Sequence, residues 1–307
     1  MASKQILSTL VKVTFLGFLT YFCLQFFIPR WGSLQFSNRL GTLSGSWILA
    51  ATAFTMAYCV FGLLIWIITL HTLDSRPDPR LTAGAYVYSL LAKYIPGSVA
   101  AHGVRAQLAM KAGVPVLVSM KSFLLEAIFA LGTAALIAIP GTMYFAPAVI
   151  DYHSTWGIVT LVALIFVVFL TTTRFQLGNM YKFLLPALPR STGYVKLTFL
   201  YLLVWLLSAS AHWCLANAMS DYSISHFPLL MVAVSASWAV GFVSVFAPAG
   251  LGVREAVLYF FVNNSMDQPN VILFVTLSRL LMFGVEVFLT VGFVLYSKVL
   301  RRPAATK

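Results

Sequence analysis

The chain has 307 residues, of which 60% are hydrophobic and only 9% charged, with a mean hydropathy of +0.91. Soluble domains carry about 25% charged residues, so a water-soluble globule is excluded, as are a disordered chain and a coiled coil. Twenty Lys and Arg against eight Asp and Glu give a formal charge of +12, which in an apolar chain points to basic cytoplasmic loops and anionic lipid rather than to nucleic acid.

A bilayer crossing takes about 20 residues. Apolar runs of that order lie at about 10–28, 47–71, 115–139, 156–173, 194–219 and 270–296. Residues 13–28 follow Lys4 and Lys12 as a signal peptide would, but the run continues through Phe27 and Ile28 without a small-residue cleavage site, so a retained helix is expected. Two further stretches, 82–112 and 228–264, are broken near their middles by Pro96-Gly97 and by Pro248-Ala249-Gly250. One membrane domain spanning 1–307 is expected, with 82–139 and 228–296 as two broken-helix repeats.

The 174–196 connection carries Arg174, Lys182, Arg190 and Lys196, the tail carries Lys298, Arg301, Arg302 and Lys307, and the 72–81 loop adds Arg76 and Arg80. The loops at 140–155 and 220–227 hold no Lys or Arg. The positive-inside rule then puts both termini in the cytoplasm. With that orientation, 82–112 starts and ends inside and 228–264 starts and ends outside. Residues 255–264 cover only about 15 Å as a helix, half a bilayer, so two re-entrant hairpins entering from opposite faces are expected. The expected fold is all-α and polytopic, with about six transmembrane helices and two opposed hairpins meeting near the midplane. Opposed broken elements are what inverted-repeat transporters use.

All five aspartates fall in expected loops, whereas Glu126, Glu255 and Glu286 fall in apolar segments. A carboxylate inside a bilayer faces the bundle interior and needs a partner. Lys121, Arg254 and Arg279 are candidate partners, with Lys93 and Arg105 nearer an edge. Arg279 and Glu286 lie seven residues apart, on one helix face, and each could pair with a charge from the other repeat. A role as ion pairs that only fix helix register is the alternative for all of these charges, and Lys121 could equally snorkel to the headgroups.

At the second break, proline followed by Gly250 and Gly252 stops one helix, and the next is expected to start near Val253. Freed backbone N–H groups suit an anion, and Arg254 adds a guanidinium able to grip phosphate. The first break, followed by His102 and Arg105, has the same ingredients. The candidate headgroup-binding residues are therefore Arg105, Lys121, Glu126, Arg254, Glu255, Arg279 and Glu286, and the hairpin breaks are Pro96, Gly97, Pro248, Gly250 and Gly252.

The stretch from Lys93 to Gly113 (KYIPGSVAAHGVRAQLAMKAG), Leu124-Leu125-Glu126, Pro248 to Glu255 (PAGLGVRE) and the last helix from Ser278-Arg279 resemble the membrane domain of lysylphosphatidylglycerol synthases and the related standalone flippase-like proteins of the inner membrane. The resemblance implies translocation of an anionic phospholipid or a polyprenyl-phosphate-linked glycolipid across a bacterial inner membrane. The chain departs from the synthases in that no aminoacyl-transferring domain is expected, so it is not expected to make lysylphosphatidylglycerol. The family's Glu-Arg pair is here Glu126-Ala127, which leaves Lys121 or a residue of the second hairpin as the expected partner of Glu126.

No intramembrane-protease motif is present, and the 29–46 loop lacks the carboxylate that a polyprenyl glycosyltransferase would need. His212 with Asn217 is expected to be an interhelical hydrogen-bonding histidine rather than a catalytic base. Neither enzyme activity, catalytic residues, cofactor nor metal is expected. Cys23, Cys59 and Cys214 sit in apolar runs and are expected as free thiols. Expected partners are membrane lipids, a glycosyltransferase or synthase, and a second copy of the chain. The competing functional reading is a non-transporting membrane partner of such an enzyme.

Overall fold

The computed structural model describes residues 41–94, 100–146, 191–244 and 248–300. Within them lie eight α-helices: α1 (Gly45–Thr72), α2 (Pro79–Ala92), α3 (Ala100–Lys111), α4 (Val116–Phe145), α5 (Ser191–Asn217), α6 (Phe227–Val243), α7 (Val253–Val262) and α8 (Gln268–Leu300). Two 3-10 turns, Ile224–His226 and Pro248–Gly250, join them, and no strand occurs among the described residues. The chain is an all-α, multi-pass membrane protein. Four of the six expected crossings coincide with α1, α4, α5 and α8; the runs at 10–28 and 156–173 lie outside the described residues.

Local sequence sets the helix ends. Asp78 caps α2 by accepting from the Leu81 N–H at 2.8 Å, with Pro79 supplying a preset φ in the first turn. Gly113 closes α3 in the left-handed region at φ +87°, with Val114 N–H donating to Ala109 O and Gly113 N–H to Met110 O, a Schellman closure.

The topology follows from a few contacts. Ser44 N–H donates to Ala218 O, so α1 begins where α5 ends. Asp78 N–H donates to Ala112 O, so α2 and α3 form a hairpin whose two ends meet. Tyr222 Oη donates to Ser265 Oγ at 2.8 Å, which closes the hairpin of α6 and α7 in the same way. α8 records the direction of both hairpins. Arg80 donates to Ser297 O, and Thr290 Oγ1 donates to Val87 O, so the first hairpin runs in from the C-terminal end of α8. Tyr259 Oη donates to Gln268 Oε1, so the second hairpin is rooted at the opposite end. The two hairpins thus enter from opposite ends of the bundle, as expected.

The second hairpin is asymmetric. With the turn before it, α6 makes a 20-residue apolar stretch long enough to cross a membrane by itself, whereas α7 has 10 residues. The expected start of α7 at Val253 is observed. The break in the first hairpin, with Pro96 and Gly97, lies outside the described residues.

The basic end of the bundle carries Arg76, Arg80, Lys111, Lys196 and Lys298. The far end carries no Lys or Arg among the described residues, only Asp221 and Asp267. Buried polar contacts tie the helices together in place of the hydrophobic drive that lipid removes. Trp66 Nε1 donates to Ser122 Oγ at 3.1 Å between α1 and α4, and Trp205 Nε1 donates to Thr133 Oγ1 at 2.9 Å between α5 and α4. Gly62 lets the Tyr86 hydroxyl reach the α1 backbone, and Gly141 does the same for Val232. Cys59 and Cys214 are buried free thiols, while Cys23 lies outside the described residues.

Candidate functional site

α8 is about 50 Å long, and Arg279 and Glu286 stand about 10 Å apart near its middle. Glu286 is 1% exposed and holds Lys93 from the end of α2. Arg279 holds Glu255 of α7, Nε to Oε1 at 3.4 Å, and donates to Ala249 O at 3.2 Å in the second break. Arg279 also lies over the ring of Tyr94, 5.3 Å from its centroid. One helix face therefore grips both hairpin tips, and Tyr94 and Ala249 meet on the same guanidinium. Of the two expected cross-repeat pairs, Glu286 makes one and Arg279 does not: its partner Glu255 belongs to its own repeat, because α7 packs directly back onto α8. Lys93 is correspondingly no edge residue, since α2 carries it to the middle of α8.

Glu126 pairs with Arg105, Oε2 to Nη1 at 3.0 Å. This corrects the expectation of Lys121 or a second-hairpin residue: α3 folds back along α4 and places its guanidinium over the Glu126 turn. Arg105 Nε donates to Ser89 Oγ at 3.1 Å, and its guanidinium lies over Tyr86 and Trp66, 4.8 and 5.2 Å from the ring centroids. Arg105 is thus engaged on several sides and does not stand free as a phosphate grip.

A cavity of about 380 Å³ lies between the hairpins and helices α1, α4, α5 and α8. Among the described residues its charged lining is Lys93, Arg105 and Arg254 against Glu126 and Glu286. Lys121 is not among the lining residues; it sits on α4 about 8 Å from the helix start. Glu255 is not among them either. It lines a separate hollow of about 70 Å³ on the α5 side, and its Oε2 accepts from the Gly252 N–H at 2.6 Å. That bond caps α7 from its third position, which Gly252 as N-cap cannot reciprocate, having no side chain. Glu255 therefore serves helix start and Arg279, not the cavity, and one of the N–H groups expected to face an anion is already taken.

Arg254 is the cation without a carboxylate. No ion pair holds it among the described residues, and Asp151 is the only acidic residue outside them. Its stem runs through a slot between the two arms of the second hairpin. A Cβ on Gly250 would stand 2.8 Å from Arg254 Nε and 3.0 Å from the Gly241 Cα. A Cβ on Gly241 would collide with Arg254 Cγ and stand 2.7 Å from Nε. The guanidinium then lies over Trp238, 5.8 Å from the ring centroid. The break itself is held in left-handed backbone at Ala249 (φ +52°), Gly250 (φ +70°) and Gly252 (φ +82°). Gly241 and Trp238 escaped the sequence reading. Gly241 sits in an apolar helix opposite a glycine-rich break, and that facing pair of small residues was the available signal.

Four buried polar atoms of this lining have no hydrogen-bond partner among the described residues: Glu126 Oε1, Glu286 Oε2, His102 Nδ1 and Arg254 Nε. His102 packs against Phe123 with ring centroids 3.6 Å apart and the rings tilted by 36°. His212, by contrast, bonds within its own helix, Nδ1 to Ser208 O at 2.7 Å, and not between helices as expected. Asn217 is likewise structural, donating to Trp213 O and Tyr222 O and accepting from the Tyr222 N–H. Among the described residues no three His, Cys, Asp or Glu side chains converge as a metal site would require. No protein-family model matches the chain, and none of the curated proteins matches it.

Proposed function

We propose that this chain moves the headgroup of an anionic phospholipid, or of a polyprenyl-phosphate-linked lipid, across a bacterial inner membrane. In this reading it is a transporter of the lysylphosphatidylglycerol synthase membrane-domain type and not an enzyme. The basic end and both termini face the cytoplasm, in keeping with the positive-inside rule. The observation that carries the reading is the meeting of two opposed hairpins at the middle of α8, beside a charged cavity in which Arg254 has no carboxylate partner among the described residues. Charged groups at that depth are costly unless they serve a polar path or one another. Acyl chains can stay in the lipid while the headgroup enters, so no continuous aqueous tunnel is required.

The test is headgroup translocation by the purified chain in proteoliposomes, using labelled anionic phospholipids and polyprenyl phosphates. Arg254→Ala and Glu286→Gln are compared with wild type, each checked for a monodisperse, folded state. Transport by wild type that both variants lose is the expected result. Transport that survives both substitutions removes the polar path from the mechanism. Folded variants that still support a partner glycosyltransferase or synthase, with no lipid moved by any form, would favour the non-transporting reading, in which the three ion pairs fix helix register.

A further inference from the structure

Resting on the transport reading, we infer that the cavity accepts a headgroup built as a singly charged phosphodiester carrying hydroxyl groups, of the glycerol or sugar type. Charge comes first. Of the three cations that line the cavity among the described residues, Lys93 and Arg105 are matched by Glu286 and Glu126, and Arg254 has no ion pair among the described residues. In a site of low polarity, a bound group is favoured when it neutralises what is left and no more. A phosphodiester with one negative charge does so. A diphosphate brings surplus negative charge to a cavity with one unmatched cation. An aminoacylated headgroup brings an ammonium, which needs a carboxylate, and both carboxylates of the lining already hold a cation.

The neutral part of the headgroup is read from the α3 and α4 wall. Glu126 gives one oxygen to Arg105 and keeps Oε1 buried without a partner. An ionised carboxylate oxygen only accepts, so what completes it is a donor, and a donor without charge keeps the balance. His102 Nδ1, also buried and unpartnered, lines the same cavity, and either tautomer of an imidazole suits a hydroxyl, which both donates and accepts. Arg254 comes from α7 on the other side, where the two arms of the second hairpin hold its stem. A phosphate at Arg254 with hydroxyl groups toward Glu126 and His102 satisfies three of the four orphan sites of the described lining at once, Glu286 Oε2 being the fourth, which neither a bare phosphate nor an alkyl phosphodiester does.

The experiment is lipid binding by the purified full chain in zwitterionic nanodiscs, comparing phosphatidylglycerol with phosphatidylethanol of the same acyl chains. The two probes share their charge and differ in the headgroup hydroxyls. Phosphatidylglycerol should bind about tenfold more tightly, the return of one hydrogen bond to a buried charged acceptor. His102→Ala should pull that ratio toward one, and a polyprenyl diphosphate should bind no more tightly than phosphatidylethanol. Equal binding of the two phospholipids by wild type overturns the hydroxyl assignment, and a diphosphate that binds more tightly than phosphatidylglycerol overturns the single-charge assignment. Deacylated glycerophosphoglycerol binding as tightly as the lipid would keep the headgroup chemistry and overturn its delivery by a lipid. A wild-type chain that binds none of these probes overturns the transport reading, and this inference falls with it.

Discussion

Placing a methyl group on Gly241 should push Arg254 out of its slot. The added Cβ would collide with Arg254 Cγ and lie 2.7 Å from Nε, where carbon contacts settle near 3.5–4.0 Å, so the arginine must shift by about 1 Å. The atoms that must move belong to the stem, and Gly250 walls off the other side, so the shift is carried by the whole side chain. Overpacking of this kind costs about 1–3 kcal/mol. Alanine in a helix interior returns about 1 kcal/mol relative to glycine, so the net loss of stability should stay below about 2 kcal/mol. Binding should suffer more than folding: a lost charge-assisted hydrogen bond to phosphate is worth about 2 kcal/mol, or roughly thirtyfold in affinity. The assay pairs thermal unfolding of the detergent-purified protein with binding of a labelled anionic lipid. Gly132→Ala is the matched control, because a Cβ there meets no described atom within 4 Å. Wild-type affinity in folded Gly241→Ala would refute the argument that the slot positions Arg254.

Lys93→Met should cost about 3–5 kcal/mol, because it strands the Glu286 carboxylate, 1% exposed, without its counter-charge; adding Glu286→Gln should recover most of that loss in thermal unfolding. Ala249→Gly should raise stability by up to about 1 kcal/mol, since left-handed backbone at φ +52° strains an alanine and not a glycine; a lower melting temperature would count against strain at the break. Tyr222→Phe removes the hydroxyl that closes the second hairpin onto Ser265 and should cost about 1 kcal/mol, with faster hydrogen exchange at the α7 end as the local readout. Asp78→Ala removes the cap of α2 and should cost about 1 kcal/mol by the same thermal assay.

The sequence exposed what depends on composition and punctuation. Runs of apolar residues located α1, α4, α5 and α8, because a spanning helix needs little more than length and low charge. Pro248 with Gly250 and Gly252 located the second break, because few other combinations end one helix and begin another in so short a space. The parity of basic loops required the two hairpins to open toward opposite ends, and the contacts of α8 with Arg80 and Tyr259 lie at its two ends accordingly. Pairing was not legible in the same way. Seven residues of spacing put Arg279 and Glu286 on one face, but which hairpin each meets depends on how far each tip reaches along α8. α2 ends at Lys93, opposite Glu286, while α7 turns back early and leaves Glu255 at Arg279. Glu126 was harder still, because its partner lies on an arm whose angle to α4 no local pattern encodes.

The unequal reach of the hairpins also bears on how such a site could work. Arg279 touches both tips, through Tyr94 on one side and through Ala249 O and Glu255 on the other. A movement of either tip must therefore break or remake a contact on the same guanidinium, and the two hairpins are mechanically linked through one side chain. Lys93 and Glu286 lie on the basic side of that link, and the Arg254 slot lies on the other. Ser237 Oγ donates to Arg254 O at 2.8 Å, and Gly241 and Gly250 wall the arginine's stem, so a shift of Arg254 disturbs the packing of both arms of the second hairpin. If the chain moves a headgroup as proposed, binding at Arg254 and movement of the first hairpin's tip would be coupled through these contacts on Arg279.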